Sequence, residues 1–101
     1  MTYTSEKLKL AVRTLAVNEG EVHDRLLAAY KEHLVNLDPL DLPDDLMPDL
    51  EKILFLYNRT DPAFPGDSAV VSSVKGLSQD EATDLADWLV ELCFTLLARE
   101  L

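Results

Sequence analysis

The last quarter of the chain constrains the fold most. Ser78 and Glu81 stand in the S-x-x-E spacing of a capping box, where hydroxyl and carboxylate satisfy the free backbone N–H groups of a helix start. Behind them Ala82, Leu85, Ala86, Leu89, Leu92, Cys93 and Leu96 recur at helical spacing, and Trp88, Val90, Phe94, Leu97 and Leu101 widen the stripe. At ~100° per residue the apolar arc covers roughly 240° of the helix, against the ~100° of an ordinary surface helix. Such a helix is either central to a bundle or shared with another chain.

The preceding residues supply the elements it can pack against. Leu8, Ala11, Val12 and Leu15 predict a helix from about Ser5, as N-cap, to Val17, ended by Asn18 and Gly20. Leu26, Leu27, Tyr30, Leu34 and Leu37 predict a second from about Glu21 to Asn36, antiparallel to the first because the link is short. Leu46, Leu50, Ile53, Leu54 and Tyr57 mark a third within Pro43 to Asn58. Pro43 and Pro48 cannot share the first turn of one regular helix, so a short turn over 43–47 is expected before the helix proper. "TDPAFPGD", residues 60–67, is loop chemistry. "SAVVSSVKG" reads as a short helix near 68–75, capped by Asp67 or Ser68 and stopped by Gly76. Its valines also suit a strand, but a lone strand has nothing to pair with. The expectation is one all-α domain over 1–101: an antiparallel helical bundle of four principal helices with a short extra helix.

The run "LKLAVRTLA", followed by "RLLAAY" and "DLPDDL", resembles small bacterial all-helical proteins of uncharacterised function. The likeness covers residues 8 to about 54, rests on apolar spacing and one proline, and implies an all-helical fold and nothing more.

Charge narrows the function classes. The net charge is −10, and all of it arises after residue 35: residues 1–35 carry five basic and five acidic groups, residues 36–101 four basic and fourteen acidic. Eleven of those fourteen lie in two clusters, 38–51 and 80–91. Direct nucleic-acid binding needs a basic surface and is disfavoured, as is binding to an anionic membrane. No apolar run approaches the ~18 residues of a membrane span, and the N-terminus lacks the apolar stretch of a secretory signal. A single cysteine, Cys93, permits no intrachain disulfide and fits a reducing compartment. The cytoplasm is the expected location.

The first cluster, "LDPLDLPDDLMPDLE" over residues 37–51, fails as a calcium loop: neither Asp38 nor Asp41 starts a frame of alternating oxygen ligands with a glycine at the turn. Helix punctuation is a sufficient reading. Asp41 and Asp44 stand where caps and first-turn acids belong, Asp45 and Asp49 near the start of the third helix, with Leu40, Leu42 and Leu46 expected to tuck inward. A docking surface is the alternative. In the second cluster Asp80, Asp84, Asp87 and Glu91 fall at i, i+4, i+7 and i+11. They make a line ~16 Å long within roughly 60° of arc. A solvated face explains it, and so does a carboxylate ridge that meets lysines and arginines on a partner.

Catalytic chemistry finds little support. His23 and His33 stand ~15 Å apart along one helix and cannot share a metal. Cys93 lies inside the apolar arc, the place of a structural thiol. No glycine-rich phosphate loop or G-x-S-x-G occurs. No metal, no cofactor and no enzymatic activity are expected. Three function classes remain, in this order. The first is an acidic module that occupies or neutralises a basic surface of a protein partner, as immunity proteins, antitoxins, inhibitors and nucleic-acid mimics do. Asp80, Asp84, Asp87 and Glu91 would be its contact line and Asp44, Asp45 and Asp49 a second site. The next is a helical regulatory or oligomerisation module that binds through its apolar face; apart from these classes, the apolar width of the last two helices predicts a homodimer or a tight partner, with Trp88, Val90, Phe94, Leu97 and Leu101 in the contact. The last is a small-ligand binder with a pocket near Trp88, Tyr57 and His33.

Overall fold

The computed structural model describes residues 2–60 and 68–101. Among them the chain is all-helical, without a strand, and has five α-helices: α1 (Tyr3–Val17), α2 (Val22–Ala29), α3 (Met47–Tyr57), α4 (Ala69–Lys75) and α5 (Gln79–Arg99). The expected loop over 61–67, with Asp67 as an alternative cap, lies outside the described residues.

Side-chain hydroxyls start three of these helices. Ser78 opens α5 through the anticipated box: its hydroxyl accepts from Glu81 N–H at 3.1 Å, and the Glu81 carboxylate accepts from Ser78 N–H at 3.0 Å. Ser68 opens α4 by accepting from Val71 N–H. At α1 the expectation is corrected. Thr2, not Ser5, is the N-cap, and Ser5 sits at the third helical position, where its hydroxyl takes the role usually given to Glu or Gln. The helix therefore begins before the position that the apolar period suggests. Its end comes at Asn18 in extended backbone, and the turn passes through Gly20 at φ +101°. A side chain there would be strained and would press on the Asp24 carboxylate.

The second helix departs from the regular one expected. After α2 the chain continues as a wide turn over Tyr30–Leu34, closed by Val35 N–H to the Tyr30 carbonyl at 3.0 Å. In a regular α-helix, residues five apart stand ~140° apart. The wide turn brings such residues back toward one face, so Leu34 and Leu37 join Leu26 and Ala29 in the core.

Before α3, Asp38 accepts from Leu40 N–H at 2.9 Å and caps a 3-10 turn, Pro39–Asp41. The Pro43 carbonyl then takes Leu46 and Met47 N–H, and α3 begins at Met47 with Pro48 in its first turn, where no donor is missed. Leu42 and Leu46 are buried, but Leu40 is 74% exposed, against expectation. It rides on the outer side of the 3-10 turn. Asp41 and Asp44 do not cap α3, whose N-cap is Leu46 with no side-chain bond.

The helix α4, short as expected, is tied to the end of α3 by Ser73, whose buried hydroxyl accepts from Thr60 N–H at 2.8 Å and donates to the Thr60 carbonyl. The longest helix, α5, packs against α1, α2 and α3. Its inner stripe of Ala82, Leu85, Leu89, Leu92, Cys93 and Leu96 is buried against them. Each leucine so buried contributes about 1.5–3 kcal/mol.

Candidate functional site: an acidic surface meeting a tryptophan cleft

Helical arithmetic places Asp80, Asp84, Asp87 and Glu91 on one line, and all four are exposed on α5. Their neighbour Glu81 is different in kind. It completes the α5 cap and also accepts from Arg59 at 3.0 Å. The Ser78 N–H first, and Arg59 next, hold its carboxyl below the usual value.

The first cluster is split by its surroundings. Asp44 and Asp49 are exposed. Asp45 is also at the surface, but both its oxygens accept from the Arg99 guanidinium at the end of α5, in a bidentate pair. Arg99 holds the Asp45 carboxyl below its usual value, and Asp45 in turn raises Arg99. Asp45 is thus engaged within the chain.

The two clusters meet. Asp49 on α3 and Glu91 on α5 line one cleft of about 190 Å³, together with Lys52, Trp88, Leu92 and Thr95. The Lys52 ammonium lies over the Trp88 ring, 3.9 Å from its centroid. Asp49 and Lys52 are three residues apart on one helix; Trp88, Glu91, Leu92 and Thr95 share a face of the other. The cleft has an aromatic wall and two carboxylates around a single cation, which the protein's own lysine supplies. Sequence reasoning missed this convergence, since it depends on how α3 lies against α5. Trp88, which the sequence assigns to an oligomer contact, is half-buried here against Lys52.

Of the other expected contacts, Val90, Phe94 and Leu97 lie farther along α5 and Leu101 just past its end. Phe94 and Leu101 are exposed, whereas Val90 and Leu97 are half-buried. The pocket sought near Trp88, Tyr57 and His33 does not bring these three together. Tyr57 is fully buried, packs with its ring tilted against Tyr30 at 4.8 Å between centroids, and donates its hydroxyl to the Leu26 carbonyl at 2.9 Å. Burial pushes its phenol far above the ordinary value. A larger apolar groove of about 550 Å³ runs beside Leu27, Tyr30, Val35, Val70 and Val71, and it takes Tyr30 rather than Tyr57. His33 lies 3.7 Å from the Glu32 carboxylate.

His23 has structural work: its Nε2 stands 2.9 Å from the Leu77 carbonyl and ties α2 to the start of α5. Cys93 is a buried thiol, pushed up by burial, with Lys9 acting in the opposite sense. Among the described residues no group of three or more His, Cys, Asp or Glu side chains is placed to hold a metal ion. Among the same residues no helix is long and apolar enough to cross a membrane. No protein-family model matches the chain, and comparison with curated proteins and with solved structures gives no significant match.

Proposed function

We propose that the chain is a non-enzymatic acidic docking module that binds a basic segment of a protein partner in the cytoplasm. The observation that carries this reading is the meeting of both acidic clusters at Trp88. The Asp80–Asp84–Asp87–Glu91 ridge leads along α5 into that cleft, and Asp49 closes its far side. A lysine or arginine of the partner has there what Lys52 already uses: an indole face and nearby carboxylates. The ridge supplies fast, steered association and discrimination against acidic surfaces. Asp44 extends the surface, and Asp45 joins it only by exchanging Arg99 for a partner's cation.

The scaffold is read as an antiparallel bundle of α1, α2, α3 and α5, and contacts between helix ends support this. Thr2 at the start of α1 donates to Glu100 at the end of α5. Arg25 near the start of α2 donates to the Leu15 carbonyl near the end of α1. Asp45, just before α3, pairs with Arg99 at the end of α5, and Arg59, just after α3, with Glu81 at its start.

The test is capture from lysate by the tagged protein, eluted with a salt gradient, alongside the Asp84→Lys/Asp87→Lys double variant and Trp88→Ala. A basic protein that leaves at moderate salt, and whose affinity falls about tenfold or more in the double reversal, supports the reading. A captured protein that ignores salt and the reversal overturns it.

A further inference from the structure

The helix α5 carries two apolar stripes. The inner one, Leu85, Leu89, Leu92 and Leu96, is buried in the chain's own core. The second, Val90, Phe94 and Leu97, repeats the four–three spacing five residues later, ~140° round the helix, and Leu101 follows just past the end of α5. Phe94 is 61% exposed, and with Leu97, Ala98 and Leu101 it lines an open groove of about 570 Å³ completed by Lys9 of α1 and Glu100. That spacing keeps the side chains on one narrow line of the helix, set apart from the inner stripe.

We infer that this second stripe is the contact for a second copy of the same chain, with the two α5 helices crossing antiparallel about a two-fold axis near Leu97. Two observations select this occupant. The groove carries one cation and one anion, Lys9 and Glu100, so a two-fold axis sets each opposite the other's counterpart, as a self-complementary contact requires. The acidic excess lies elsewhere on the helix: residues 92–101 hold only Arg99 and Glu100 as charged groups. A basic partner is drawn to the ridge, and the seam is left for a surface without net charge.

The antiparallel sense follows from the ridge. Asp87 lies ten residues, or ~15 Å, before Leu97, so an antiparallel crossing holds the two Asp87 side chains roughly 30 Å apart. That exceeds the ~8 Å screening length at physiological salt. A parallel pairing would set the two carboxylate ridges side by side. The antiparallel dimer presents two acidic arms pointing away from one apolar centre, and so offers two docking surfaces to a partner.

Sedimentation equilibrium of the full chain at ~100 μM tests this. A dimer is expected, whose dissociation constant rises about tenfold or more in Phe94→Glu while the helical circular dichroism is unchanged. Lys9→Glu alone weakens the dimer, and Lys9→Glu combined with Glu100→Lys restores it. Asp84→Lys/Asp87→Lys leaves it intact, which separates this contact from the docking ridge. A monomer at that concentration, or a dimer indifferent to Phe94→Glu, overturns the inference. A dimer that tightens steeply with added salt overturns the antiparallel sense.

Discussion

The outer face of α5 is charged in its first half and apolar in its second, while the inner face is the same throughout. Asp80, Asp84, Asp87 and Glu91 line the first half, and Phe94, Leu97 and Leu101 the second. Behind both runs the continuous buried series from Ala82 to Leu96. The core therefore dictates the inner residues and leaves the outer ones free. Carboxylates at i and i+4 cost a few tenths of a kcal/mol. An exposed phenylalanine adds little stability. Folding requires neither half of the outer face, so each can be varied without disturbing the core.

The largest expected effect tests the sameness of the inner face. Leu85→Ala in the first half and Leu96→Ala in the second remove side chains that are 0% and 5% exposed. Each should destabilise by about 2–5 kcal/mol in urea unfolding. Asp84→Ala and Phe94→Ala, on the outer face of the same two halves, should each stay within about 0.5 kcal/mol for the monomer. A near-neutral Leu96→Ala would break the comparison, since the second half would then not belong to the monomer's core.

Next come the two ends of α5. The first is held by the Ser78–Glu81 box and by the last turn of α3, which Arg59 ties to Glu81. Ser78→Ala should cost about 1 kcal/mol. Tyr57→Phe, which deletes the bond from that last turn to the Leu26 carbonyl of α2, should cost about 0.5–1.5 kcal/mol near neutral pH. The same phenol gives a pH signature. Its value is raised in the fold, so its contribution is complete below the unfolded value of ~10 and is lost as pH rises from there toward the folded value. The urea midpoint of the wild-type chain should therefore fall above pH ~10, and Tyr57→Phe should flatten that decline.

What could be read beforehand follows the range of the physics involved. The box at Ser78 and the conflict between Pro43 and Pro48 are chemistry within a few residues, and the sequence displays them; the cap of α4 it leaves between Asp67 and Ser68. The start of α1 is local too, but Ser5 stands where such a box usually carries a longer side chain, which hides the signal. The wide turn over residues 30–34 is decided by the need to bring Leu34 and Leu37 into the core, a tertiary demand that no local period records. Leu40 looked like core by composition, yet the 3-10 turn faces it outward. The ridge on α5 was legible from helix geometry alone. The convergence of Asp49, Lys52, Trp88 and Glu91 was not, because it joins two helices whose mutual rotation neither one encodes by itself. The spacing of Asp49 to Lys52 and of Trp88 to Glu91 places each pair on one face, but only the packing of α3 on α5 turns the two faces toward each other.

The smallest expected effect sharpens the contrast between the two ends of α5 at acid pH. Glu81 at one end and Asp45, the partner of Arg99, at the other both have lowered values. A depressed carboxyl contributes stability that is present above its ordinary value and lost as pH falls through the folded one. Both ends therefore weaken in the same acid window, below the usual carboxylate range, but for different reasons. The leading cause at Glu81 is a backbone N–H within the cap, and at Asp45 it is the Arg99 guanidinium across an exposed ion pair. Salt screens the second far more than the first. Glu81→Gln keeps an acceptor in the box but cannot ionise, so it should remove its share of the acid slope at low and high salt alike. Asp45→Asn should change the slope at low salt and lose that effect at high salt. Urea midpoints measured from about pH 2 to 5 at two ionic strengths check this. Equal salt sensitivity in the two variants would mean that the ends of α5 are held by the same kind of force, and the contrast would then lie only in the outer face between them.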